Sequence, residues 1–172
     1  MKYTELYQEY ESLLAKKDEC LKLLSTLPDG YISWKRISGK EYAYLQKRIV
    51  GSVHSKYIRE DDLAQVRDDL QKRHDAENEL SFINEQLDKL EAAARILDIG
   101  LFRELISLRR CSLMDAMPME TREKALGFGV AMAALEGIPA SEEVEESLSL
   151  WTVGQRSYRE SFFQTLAKHQ LI

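Results

Sequence analysis

The sequence predicts a mainly α protein with one small three-stranded antiparallel β-meander: a long antiparallel helical hairpin, then a C-terminal helical bundle. Three observations predict it. Only three prolines and eight glycines interrupt 172 residues rich in Leu, Glu, Lys and Ala, a composition that favours helix. Apolar residues recur at spacings of three and four over residues 3–27 and again over 60–97, the period of helices that pack along a seam. Between them, residues 31–58 switch to alternation punctuated by glycine, the period of strands joined by tight turns.

The first helix has the cleanest signal. Tyr3, Leu6, Tyr10, Leu13, Lys17, Cys20, Leu24 and Leu27 step by 3,4,3,4,3,4,3, and only Lys17 breaks the apolar seam. Tyr7, Leu14 and Leu21 widen the stripe. About 25 residues of helix span roughly 38 Å. Pro28-Asp29-Gly30 ends it, because proline lacks a donor and glycine tolerates positive φ.

Residues 31–37 and 42–49 then read as hairpin arms around Ser38-Gly39-Lys40, and Val50-Gly51 turns the chain into a third strand at 52–58. Alternation places Tyr42, Tyr44, Gln46 and Arg48 on one face of the second strand, and Ala43, Leu45, Lys47 and Ile49 on the other. Helical period returns with Leu63, Val66 and Leu70, and continues through Leu80, Ile83, Leu87, Leu90, Ala94 and Leu97. Arg73 and Glu77 fall on the seam between these runs, so the middle is either polar or slips in register. Two such helices joined by a small sheet fold back on each other, since their apolar stripes need cover. The same stripes also suit pairing between two chains, which leaves a dimer open.

Asp98-Ile99-Gly100 marks the expected boundary between a hairpin domain, 1–97, and a helical domain, 101–172. Helices are expected over 101–113, 120–135, 142–153 and 158–169, separated by Pro118, by Gly137 with Pro139, and by Gly154. Ser141 ahead of two glutamates is an N-cap. Val144, Leu148 and Trp151 form an inner stripe, with Phe162, Phe163 and Leu166 expected to face it.

An enzyme is not expected. His54, His74 and His169 are scattered, no CxxC occurs, and GxxxxGK(S/T), GxGxxG after a strand and GxSxG are all missing. No metal, cofactor or catalytic residue is therefore assigned. Gly127-Phe128-Gly129 reads as a place for close helix packing, and His74, Asp75 and Glu77 as a solvated helix surface. No run of about 18 apolar residues could cross a membrane, and the charged start is unlike a signal peptide. Cys20 and Cys111 each sit in an apolar helical pattern, as thiols in a reducing cytoplasm do.

Charge is distributed unevenly. Residues 30–59 carry seven cations and one acid, a net +6, whereas the chain totals −5 and the remainder therefore −11. Tyr31, Trp34, Tyr42, Tyr44 and Tyr57 lie in the same window. Cations neutralise phosphate and rings stack on bases, so Trp34, Lys35, Arg36, Lys40, Tyr42, Tyr44, Lys47, Arg48 and Lys56 are candidate contacts for DNA, RNA or an acidic partner. The same residues also suit a thin sheet, whose core needs rings and whose edges need lysine.

Residues 131–154 contain Met132, Glu136-Gly137, Ser141-Glu142-Glu143, Trp151 and Gly154. This stretch resembles VbhA-like antitoxins, which silence Fic-type AMP-transferases with a helix ending in Ser/Thr-x-x-x-Glu-Gly/Asn. The resemblance spans roughly residues 125–170 and departs at Met132, where the family has a hydroxyl residue. It implies that Glu136 with Gly137 is inhibitory, the carboxylate competing with nucleotide phosphate for an arginine fork. The pair also serves simply to close a helix. Residues 27–58, with their Leu-Pro-x-Gly-Tyr-Ile, Tyr-Leu-Gln and Ser-Lys-Tyr-Ile pattern, resemble small uncharacterised phage and mobile-element proteins. The expected function is a non-enzymatic, antitoxin-like inhibitor of a partner enzyme, whether a toxin or a nuclease. The alternative is a nucleic-acid-binding protein, or an anti-CRISPR-type inhibitor of a host type II CRISPR nuclease.

Overall fold

A computed structural model describes residues 3–168. Its elements are α1 (Thr4–Thr26), β1 (Tyr31–Ile37), β2 (Lys40–Ile49), β3 (Ser52–Tyr57), α2 (Leu63–Leu97), α3 (Ile99–Asp115), α4 (Met119–Leu135), α5 (Glu142–Thr152) and α6 (Tyr158–Lys168). A 3-10 turn at Glu60–Asp62 precedes α2. The protein is thus mainly helical with one three-stranded antiparallel sheet, as composition and periodicity predict. The predicted end of the last helix, at His169, lies outside the described residues. Among the described residues no helix is long and apolar enough to cross a membrane.

The chain divides into two compact units, one of Ala15–Lys89 and one of Met1–Leu14 with Leu90–Ile172. The sequence places its boundary at 98–100 instead. Hydrogen bonds account for the difference. Tyr10 donates to Glu91 Oε1 at 2.5 Å and Arg109 of α3 donates to the same oxygen at 2.8 Å. Arg159 of α6 donates to Glu11 at 2.5 Å. The first turns of α1 and the last of α2 therefore belong with the later helices.

In the unit Ala15–Lys89, α1 and α2 run antiparallel, and Lys17 is buried with its Nζ donating to Asn84 Oδ1 at 2.9 Å. The polar seam position is thus satisfied by a polar partner. Leu14, rather than Leu13, is the buried leucine of α1. On α2 the buried position falls one residue before the expected seam residue Glu77. Ala76 is buried ahead of Ile83 and Leu87, while Glu77 is exposed. Arg73 is a polar residue of this middle stretch, and it donates to the carbonyls of Leu24 and Leu27 at 3.1 and 3.3 Å. These are carbonyls at the C-terminal end of α1, where the helix leaves acceptors unsatisfied and welcomes a cation.

The sheet has strand order β1-β2-β3. Both turns have two residues with positive φ, Ser38-Gly39 at 50° and 84° and Val50-Gly51 at 45° and 83°, the geometry of hairpins that match strand twist. Gly30 enters β1 at φ 130°, and a Cβ there would sit 2.2 Å from the Gln46 carbonyl oxygen. Only glycine fits that approach. Ala43 and Ile58 are buried beneath the sheet, joined by a 2.9 Å hydrogen bond from Ile58 N to Ala43 O.

In the other unit, Asp98 caps α3 by accepting from Gly100 N and Leu101 N at 2.7 and 3.2 Å. Leu101, Leu105, Leu108 and Cys111 form its buried stripe. Arg122 of α4 donates to the carbonyls of Asp115, Met117 and Trp151 at 2.7, 2.9 and 3.0 Å, so one side chain ties three helices. Ser141 caps α5 as expected, accepting from Val144 N. The α5–α6 packing differs from expectation. Ser161 is the buried residue of α6, donating to Ser147 O at 3.1 Å, whereas Phe162, Phe163 and Leu166 line a groove with Tyr7, Arg103 and Glu104.

Candidate binding surfaces

Cross-strand register divides the sequence-predicted contact residues between two faces of the sheet. Direct partners share a face. Lys35 pairs with Tyr42, Ser33 with Tyr44, Tyr31 with Gln46, Ile37 with Lys40, and Tyr44 with Tyr57, while Arg48 pairs with Val53. Lys35, Lys40, Tyr42, Tyr44 and Arg48 are therefore together. Trp34, Arg36, Lys47 and Lys56 are not with them, because they pair with Ala43, Glu41, His54 and Leu45 on the opposite face.

That opposite face looks toward the helices. Arg67 of α2 lies 5.9 Å from the Trp34 ring centre. Lys47 forms an ion pair with Asp29, which is 3.8 Å from Arg73. The Lys47 hydrogen bond, aided by the Arg73 charge, holds the Asp29 carboxyl below its usual range against the effect of burial. Lys47 is thus committed within the fold.

The outer face is open. Tyr31 and Tyr57 are 57% and 48% exposed. Tyr57 lies 6.0 Å from Tyr42 and 5.7 Å from Tyr44, and the Lys35 ammonium sits 4.5 Å from the Tyr44 ring centre. Tyr31 and Tyr57 extend the set beyond the sequence-predicted residues. Carrying the strand parity through both two-residue turns would have found them. The one acid of the window, Glu41, is on the other face.

The second surface is α4, which has no buried residue. Phe128 and Leu135 are 70% and 82% exposed, Met132 lies between them, and Ile138 beyond the helix is 74% exposed. Spacings of four and three put Phe128, Met132 and Leu135 on one side. A Cβ on Gly127 or Gly129 would meet nothing within 4 Å. These glycines serve no close packing, contrary to expectation: Gly129 borders a cavity beneath the helix and Gly127 a neighbouring groove. A cavity of about 270 Å³ beneath α4 is lined by Leu126, Val130, Ala133, Leu148 and Trp151.

Gly137 ends α4 at φ 78°, its N–H donating to Ala134 O at 3.1 Å, with Ile138 N donating to Ala133 O at 2.9 Å. This paired closure is what a C-terminal glycine supplies. Glu136 is exposed, and among the described residues no ion pair or side-chain hydrogen bond reaches it. Its carboxylate stands at the negative end of the helix, where local stability disfavours it.

Among the described residues no three His, Cys, Asp or Glu are grouped to hold a metal. Residues 3–68 match the model of a domain of unknown function (DUF6788), less than half of the chain. The match takes in α1, the whole sheet and the start of α2, and stops short of α4. No curated protein and no solved structure matches the chain.

Proposed function

We infer that this protein is a non-enzymatic inhibitor, antitoxin-like cargo of a phage or mobile element, acting in the cytoplasm by occluding a partner enzyme. The observation that carries this reading is α4: an apolar side left open along its length, ending in an unpaired carboxylate. Contiguous exposed apolar surface marks interaction sites. A partner supplying a groove for Phe128, Met132 and Leu135 and an arginine for Glu136 would compensate both anomalies at once.

Cell survival tests it. Co-expression should protect cells from a Fic-type AMP-transferase, and Glu136→Gly should abolish protection while the helical circular dichroism is unchanged. Full protection by Glu136→Gly would reduce Glu136-Gly137 to a helix closure. A second reading, nucleic-acid binding, is favoured by the open tyrosine face of the sheet, and includes inhibition of a nuclease that works on nucleic acid.

A further inference from the structure

We propose that the outer face of the sheet is a stacking platform for single-stranded nucleic acid. Tyr31, Tyr42, Tyr44 and Tyr57 would receive bases, and Lys35, Lys40 and Arg48 would contact the backbone. The proposal rests on the nucleic-acid reading and deepens it by fixing the face and the strandedness.

Register and charge carry it. All four rings project from the same side of three adjacent strands, whose spacing of about 4.8 Å is within reach of successive splayed bases. Lys35, Lys40 and Arg48 share that side, no acid does, and among the described residues none of the three is ion-paired. A polyanion is the complementary partner. The rings are inclined to one another, Tyr57 at 60° to Tyr42 and 64° to Tyr44, and exposed rings accept unpaired bases, whose π-faces are available only when the strand is not in a duplex. Ser33 and the Gln46–Ser55 pair, hydrogen-bonded at 3.1 Å, add neutral polar groups between the rings. Trp34, Arg36, Lys47 and Lys56, on the opposite face, are excluded from the platform, although the sequence alone groups them with it.

The test is fluorescence anisotropy of the full-length chain with labelled oligothymidylate and oligouridylate of about 12 nucleotides, within known single-strand site sizes. A self-complementary duplex and polyglutamate serve as comparisons. Single strands should bind more tightly than duplex, with log K falling against log salt by about 0.7 per phosphate contact, or roughly 2 for three cations. Tyr57→Ala should weaken single-strand binding roughly 5- to 150-fold. Tyr57→Phe, which keeps the ring, should bind like the parent and so separates stacking from any loss of fold. Lys35→Ala or Arg48→Ala should each make the slope shallower by about 0.7, whereas Arg36→Ala and Lys56→Ala should leave binding unchanged.

Binding of duplex as tight as single strand, with Tyr57→Ala harmless, would overturn the platform while leaving nucleic-acid binding intact. No binding to any oligonucleotide at low salt would overturn both. Equal capture of polyglutamate would show that the face selects charge alone, and would also overturn the platform.

Discussion

Val50 is fully exposed at the tip of the second hairpin with φ at 45°, a region that β-branched residues avoid. Asparagine is the preferred occupant of that turn position. Val50→Asn should therefore stabilise the protein by about 0.5–1 kcal/mol in urea unfolding. Gly30→Ala should do the opposite, by more than that, since its Cβ would strike the backbone of Gln46. Cys111 gives a pH-dependent case. Burial pushes its thiol from 9.0 up to about 11, and Tyr158 is raised by burial too. A folded-state pKa above the unfolded one means stability is complete below about pH 9 and is lost as pH climbs toward 11. Chemical denaturation across that window should show the decline. Cys111→Ala should make it smaller, and the native thiol should resist alkylation at neutral pH.

At the scale of elements, Arg122 joins several helix ends through one side chain. It binds carbonyls at the end of α3, before α4 and at the end of α5, and its guanidinium is 5.3 Å from the Trp151 ring centre. Arg122→Ala should lower stability by about 2–4 kcal/mol, because three carbonyls lose a charged donor together. Arg122→Lys should recover only part of this, since lysine lacks the fork. Nothing in the sequence singles Arg122 out. The helices and the meander were legible because each has a period and a punctuating glycine, proline or cap. The faces of the middle strand were legible for the same reason. The partners of Arg73 were not legible, because period shows which side of a helix a residue is on, not what it reaches. Its carbonyl partners lie 46 and 49 residues away in sequence. The same limit hid the partition of the basic residues, since a composition window counts charges without assigning them to faces. Phe162 and Phe163 were placed against α5 by hydrophobicity, when small Ser161 is the residue that permits close approach there.

For the molecule as a whole, the separation of charge is the organising feature. The window 30–59 carries +6 within a chain of −5, and three of its cations, Lys35, Lys40 and Arg48, share one sheet face with four tyrosines. In the other unit, α4 offers apolar surface beside a groove rimmed by Glu123, Glu142, Glu145 and Glu146. One surface suits a polyanion and the other a protein groove with a cation, so substitutions on one should leave the other's binding unchanged. The proposal of an occluding helix is tested most directly by AMP transfer from a purified Fic-type AMP-transferase, measured with increasing full-length chain. The wild type should suppress transfer. Glu136→Gly and Leu135→Asp should restore it by at least tenfold in the concentration required, about 1.4 kcal/mol of lost binding, while Arg36→Ala should have no effect. Transfer undiminished by excess wild-type chain, or suppressed equally by Glu136→Gly, would contradict the account.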